Sequence, residues 1–116
     1  MSGLLGIAHF TFHEGRLDDF KRLSLRCMEV VQDRDTGTIR YEIYLTPDES
    51  AAVVIEEYVD VTALMEHGDH LGEELTAAIL ATGTVHGELL GDIDPDVRAR
   101  FDGGPVRTFL PFLTQG

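Results

Sequence analysis

Tryptophan is absent from this 116-residue chain, and cysteine is reduced to one residue, Cys27. A single thiol excludes an internal disulfide and leaves no set of thiolates for a structural zinc centre. Long apolar runs are missing too. No stretch approaches the ~20 residues that a bilayer-spanning helix requires, so no membrane anchor is expected. The first ten residues, MSGLLGIAHF, have neither a basic segment nor a small-residue cleavage site, so no secretory signal is expected and the chain reads as cytoplasmic. Positive charge is scarce. Nine basic residues face 21 acidic ones, a formal net charge of −12. With no basic cluster to oppose it, that charge repels phosphate backbones and anionic lipid, which excludes nucleic acid and membrane surfaces as partners. The acids are scattered rather than run together, the pattern of a solvated surface.

What is present describes one globular domain. The composition is 43% hydrophobic and 26% charged, and at this length folding buries roughly two-thirds of the chain's surface, enough for one core. LLGIAHFTF, 4–12, is largely apolar on both alternating faces, as a strand covered on both sides would be, with His9 and Thr11 as polar exceptions. Leu17, Phe20, Leu23, Cys27 and Val30 or Val31 then recur at helical spacing, and Gly37 is placed to end that helix in a turn. TIRYEIYL and AAVVIEEYV, separated by TPDES, read as a hairpin of β-branched and aromatic residues. Asp60 stands at a helix N-cap, followed by Leu64, His67, Leu71, Leu75 and Ile79, an apolar stripe interrupted only by His67. Gly83 closes this helix, and TVHGELLGDI reads as a fourth strand. The order βαββαβ points to an α+β fold, a ferredoxin-like sandwich with an antiparallel sheet over residues 1–92. Residues 93–116 form a tail. Asp94 and Pro95 suit an N-cap and first turn, predicting a short helix to about Phe101. An extended apolar segment, PVRTFLPFL, follows and is expected to be buried against the body or a partner chain.

The hairpin and second helix carry a family resemblance. Gly37 before a strand with Tyr41 and Glu42, then Glu56, Tyr58 and Asp60, then Ala63, Leu64 and His67, is a pattern similar to the antibiotic biosynthesis monooxygenase family of the dimeric α+β barrel superfamily. The resemblance runs over residues 4 to about 92. It implies a homodimer in which two four-stranded sheets face each other as a barrel, each subunit keeping a pocket between its sheet and helices. It also implies oxidation of a small aromatic substrate, a phenol, hydroquinone or anthrone, whose own anion reduces dioxygen without metal or flavin. No cofactor is expected. The chain departs from the pattern at Tyr58, where tryptophan is common, and at His70, three residues after His67, which inherits no role.

Such chemistry needs a dry cavity and a proton acceptor, and histidine titrates in the right range. His67 is the first candidate because it breaks an apolar stripe; the plain alternative is a buried structural histidine. His9, on the Leu5–Ile7 face of the first strand, and His86, in the fourth, complete the catalytic candidates. Tyr41 and Tyr58 are the substrate-binding candidates. Tyr41 and Tyr44, three apart in one strand, must point to opposite faces. Glu56 shares a face with Tyr58 and, if turned inward, needs a partner; an ion pair with an arginine such as Arg40 across a dimer is the expectation. The EHGDH segment, 66–70, would bring ligands to a metal only if the helix continued through Gly68, and no third ligand is evident, so no metal is expected. Two other functions suit the same scaffold: a cyclase or isomerase using a histidine without oxygen, and a small-ligand-binding protein. Heme is a weaker option, with two histidines but no tryptophan.

Overall fold

A computed structural model describes residues 3–115. The elements run β1 (Leu4–Phe12), α1 (Leu17–Arg34), β2 (Thr38–Leu45), β3 (Ala51–Tyr58), α2 (Val61–Leu80), β4 (Gly83–Leu90), α3 (Pro95–Ala99) and β5 (Val106–Phe109). The first six give the expected βαββαβ order. The sheet order is β2-β3-β1-β4-β5, antiparallel throughout its first four strands, with β5 added in parallel along β4. The parallel edge strand makes the sheet mixed, which the sequence reading did not anticipate.

Strand alternation sorts the side chains into two faces. Leu4, Phe10, Ala52, Val54, Tyr58 and Leu89 lie under the helices and form the core with Phe20, Leu23, Cys27 and Ile79. Phe20 is fully buried, its ring tilted against those of Phe10 and Phe12 at 5.0 and 4.7 Å. Burial of a phenyl group of this kind contributes about 2–3 kcal/mol. Val30 rather than Val31 completes the buried stripe of α1. The other sheet face, carrying Leu5, Ile7, His9, Val53 and Ile55, has no layer of the described residues over it and is half-buried.

Asp60 caps α2 as its position implies, its side chain accepting from the Ala63 N–H at 2.8 Å. The helix continues through Gly68 and breaks at Gly72, which adopts φ 79° and ψ 162°. Gly37 is required by contact: a Cβ there would come within 2.4 Å of the Ala63 Cβ. Gly83 begins β4 rather than ending α2, which stops at Leu80. The tail is covered by this chain only in part. Val106–Phe109 joins the sheet, but Leu110, Phe112 (91% exposed) and Leu113 (84% exposed) are not covered by the body of the chain. Pro111 cannot donate to a ladder, so the strand ends before the last apolar residues.

Candidate active site

Glu56 and Tyr58 project from the helix-facing side of β3, and Tyr41, the cross-strand partner of Glu56 on β2, stands beside them. Asp35 ends α1 with its side chain turned inward, and the α2 histidines His67 and His70 come down onto it. His67 Nδ1 lies 2.7 Å from Asp35 Oδ2, and His70 Nδ1 lies 2.6 Å from Asp35 Oδ1. The Thr38 hydroxyl donates to the same Asp35 carboxylate at 2.8 Å. On its far side, His67 Nε2 is 3.1 Å from Glu56 Oε1, which also accepts from the Tyr58 hydroxyl at 2.9 Å. The imidazole is flanked by the rings of Tyr41 and Tyr58, each centroid 5.5 Å away. The side chains of His67 and Asp35 are only 6% and 3% exposed.

The array runs Asp35–His67–Glu56, an imidazole between two carboxylates. Burial alone would lower the pKa of His67, but its contacts with Glu56 and Asp35 outweigh that and raise it above the ordinary histidine value. Both ring nitrogens then donate, one to each carboxylate. Asp35 responds inversely: burial pushes its pKa up, while bonds from His70, His67 and Thr38 pull it below the ordinary carboxylate value. Tyr58 and Tyr41 are both pushed well above the usual phenol range, first by burial and then by neighbouring groups, with Glu56 among them. They act as neutral donors and walls. The Cys27 thiol, also raised by burial, is packing rather than a nucleophile.

Glu56 and Tyr58 border an apolar cavity of about 400 Å³ between the sheet and α2. Leu64 and Leu80 wall it from α2, Val85 and Leu89 from β4, and Phe101 and Val106 from the tail. Gly6, directly across from Glu56 in the β1–β3 pairing, leaves room beside Glu56: a Cβ there would sit 3.7 Å from Oε2. Oε1 is thus engaged by His67 and Tyr58, while Oε2 is the oxygen turned towards the space beside Gly6. His67 itself does not line the cavity.

The sequence candidates therefore separate. His67 and Tyr58 belong to one cluster, with Tyr41 packed against His67 outside the cavity lining. His9 and His86 stand on the other sheet face, their rings stacked at 4.6 Å, with His9 Nε2 2.8 Å from Glu88 Oε1. His86 reaches the cavity only as backbone between Val85 and Gly87, because its side chain is committed to the opposite face. The expected Glu56–Arg40 pair does not form within the chain. A register shift between Thr38 and Arg40 sets Arg40 beside Glu42 at 3.1 Å on the open face, while Glu56 turns to His67 and Tyr58. Sequence reasoning missed Asp35. It sits among the turn residues of QDRDTGT, and its histidine partners are more than thirty positions away.

The sequence model of a family described as antibiotic biosynthesis monooxygenase matches residues 5–78. No curated protein matches the chain significantly. Among solved structures, MupZ from Pseudomonas fluorescens superposes with a TM-score of 0.81 at 15% identity, over 100% of this chain and 95% of that one. Rv0793 from Mycobacterium tuberculosis has a TM-score of 0.68 at 23% identity, over 80% of this chain and 97% of its own. SnoaB from Streptomyces nogalater, a cofactor-independent oxygenase, has a TM-score of 0.63 at 19% identity, over 77% and 91%. At these identities the likeness is one of fold.

Proposed function

Because this chain belongs to the antibiotic biosynthesis monooxygenase family, we propose that it is a cofactor-independent monooxygenase of an electron-rich aromatic compound, with Glu56 as the base. The observation that carries this reading is an apolar cavity bordered by Glu56, whose carboxylate is bound by a buried imidazole that is itself anchored on Asp35. The volume, about 400 Å³, suits a compound of two or three fused rings. The wall supplies little besides carbon, so a bound substrate loses water and a carboxylate in contact with it becomes a stronger base.

Glu56 takes the proton of a phenol or of an activated CH₂. The resulting carbanion passes one electron to dioxygen, and the radical pair combines to a hydroperoxide. Loss of water then leaves a carbonyl, so that CH₂ and O₂ yield C=O and H₂O with no external reductant. The imidazole of His67 compensates the Glu56 carboxylate before transfer, and Glu56 afterwards returns the proton it took to the peroxide anion, which completes the hydroperoxide and restores the base. His67 is a positioning and charge-balancing residue, one contact removed from the substrate. Tyr58 anchors Oε1 and leaves Oε2 for the reaction.

The proton-abstraction step alone would also serve a cyclase or isomerase, and oxygen consumption separates the two. The test is oxygen uptake by chelator-treated protein across a panel of hydroquinones and anthrones. Saturable uptake above the autoxidation blank, falling about 10²–10⁴-fold in Glu56→Gln, is the expected result. Substrate turnover without oxygen uptake would transfer the site to the cyclase reading.

We also infer that the working unit is a homodimer. The support is the uncovered sheet face with Leu5, Ile7, Val53 and Ile55 and the exposed apolar end of the tail. Both would leave water if two sheets packed face to face.

A further inference from the structure

The sheet face turned away from the helices, the one inferred to meet a second copy of the chain, carries another constellation. Two of its residues, His86 and Glu88, sit on the strand that also borders the cavity. β1 and β4 pair so that His9 and His86 are direct cross-strand neighbours, and Glu88 follows two residues along the same face of β4. The His9 and His86 rings lie stacked and almost parallel, 9° apart in plane with centroids 4.6 Å apart. His9 Nε2 and Glu88 Oε1 are 2.8 Å apart, and one ligand atom from each of the three residues falls within 4.8 Å of the others. Among the described residues this is the one group of histidine, cysteine and acidic side chains arranged so.

We propose that His9, His86 and Glu88 form a binding site for a borderline divalent transition-metal ion, for which zinc is the natural probe. Two neutral imidazoles and a carboxylate are a ligand set that zinc takes when a fourth position is left to water or another molecule. In a tetrahedral site neighbouring ligand atoms stand roughly 3.3 Å apart, as follows from metal–ligand bonds of about 2.0–2.2 Å. The 2.8 Å contact between His9 and Glu88 has to widen by only about half an ångström. The metal replaces the proton now shared by that pair. The scaffold is rigid where it matters, since the ligands rise from two central strands rather than from loops. Arg107 is the register neighbour of Glu88 on β5. It extends over the Phe109 ring, 5.2 Å from its centroid. The net charge of −12 raises the local concentration of any divalent cation.

The test is a titration of the chelator-stripped full chain with Zn²⁺ against a chromophoric competitor, with Co²⁺ as a spectroscopic reporter of coordination. One Zn²⁺ per chain is expected. Affinity should fall at least 100-fold in His86→Ala and in the near-isosteric Glu88→Gln, and stay unchanged in His13→Ala, an exposed loop histidine. Circular dichroism checks that each variant is folded. Binding should weaken as pH falls, since protons compete with the metal for its ligands. The absence of saturable binding by the parent protein would overturn the proposal, as would undiminished stoichiometric binding in both His86→Ala and Glu88→Gln.

Discussion

A carboxylate beside an apolar cavity needs partners, and Glu56 finds them in the Tyr58 hydroxyl and in a buried histidine that is itself held by a second carboxylate. Removing one member leaves the others uncompensated. Asp35→Asn removes the negative charge and one of the two acceptor oxygens that His67 and His70 use, and should lower stability by about 3 kcal/mol, read by urea denaturation. The pH dependence has two arms. Asp35, held below its ordinary 3.8, stabilises the fold above that pH, and its contribution is lost as pH falls through its depressed pKa. His67, raised above its ordinary 6.5, contributes fully below 6.5, and its share is lost as pH climbs through the raised pKa. This cluster therefore stabilises most between those limits. Melting temperatures measured against pH should fall on both sides, and both arms should flatten in Asp35→Asn. His67 was legible in the sequence because it interrupts an apolar stripe. Asp35 was not, since nothing local distinguishes an inward acid at a helix end from its exposed neighbour Asp33.

At the scale of elements, α2 shows glycine used in three different ways. Gly37 lies against its first turn, where a methyl group would strike Ala63 at 2.4 Å, so Gly37→Ala should cost about 1–3 kcal/mol. Gly68, within the helix and exposed, has open space where a Cβ would go, and Gly68→Ala should stabilise by up to about 1 kcal/mol. Gly72, at φ 79°, marks the break after His67 and His70 and is suited to no other residue without strain. Thermal denaturation of the first two variants should show shifts of opposite sign. The first six elements could be read from period and composition because each is long and strongly patterned. The four-residue β5 could not: a parallel edge strand depends on β4 lying open beside it, which no local pattern encodes. The site's partition between sheet faces was half-legible. Alternation correctly set Tyr41 against Tyr44 and kept Glu56 with Tyr58, but the register shift at the start of β2 turned Arg40 away from Glu56.

At the scale of the whole molecule, the tail completes what the smaller domain begins. Pro105 accepts from the Gly87 N–H at 3.0 Å, and Phe101, Pro105 and Val106 close one side of the cavity. Deleting residues 105–116 should raise KM roughly tenfold through lost apolar contact, with less effect on kcat. No helix among the described residues is long and apolar enough to cross a membrane. Light scattering should return twice the 12.8 kDa chain mass if the open sheet faces pair as inferred. In the proposed reaction Glu56, positioned by His67 and Asp35, takes the substrate proton before oxygen is involved. The most direct measurement is anaerobic: an anthrone that the panel shows to be a substrate is mixed with the protein under argon, and the absorbance of its anion is followed. The anion should accumulate on the parent protein, persist at a reduced level with His67→Gln, and not form with Glu56→Gln. Full anion formation on the Glu56→Gln protein would contradict that role of Glu56.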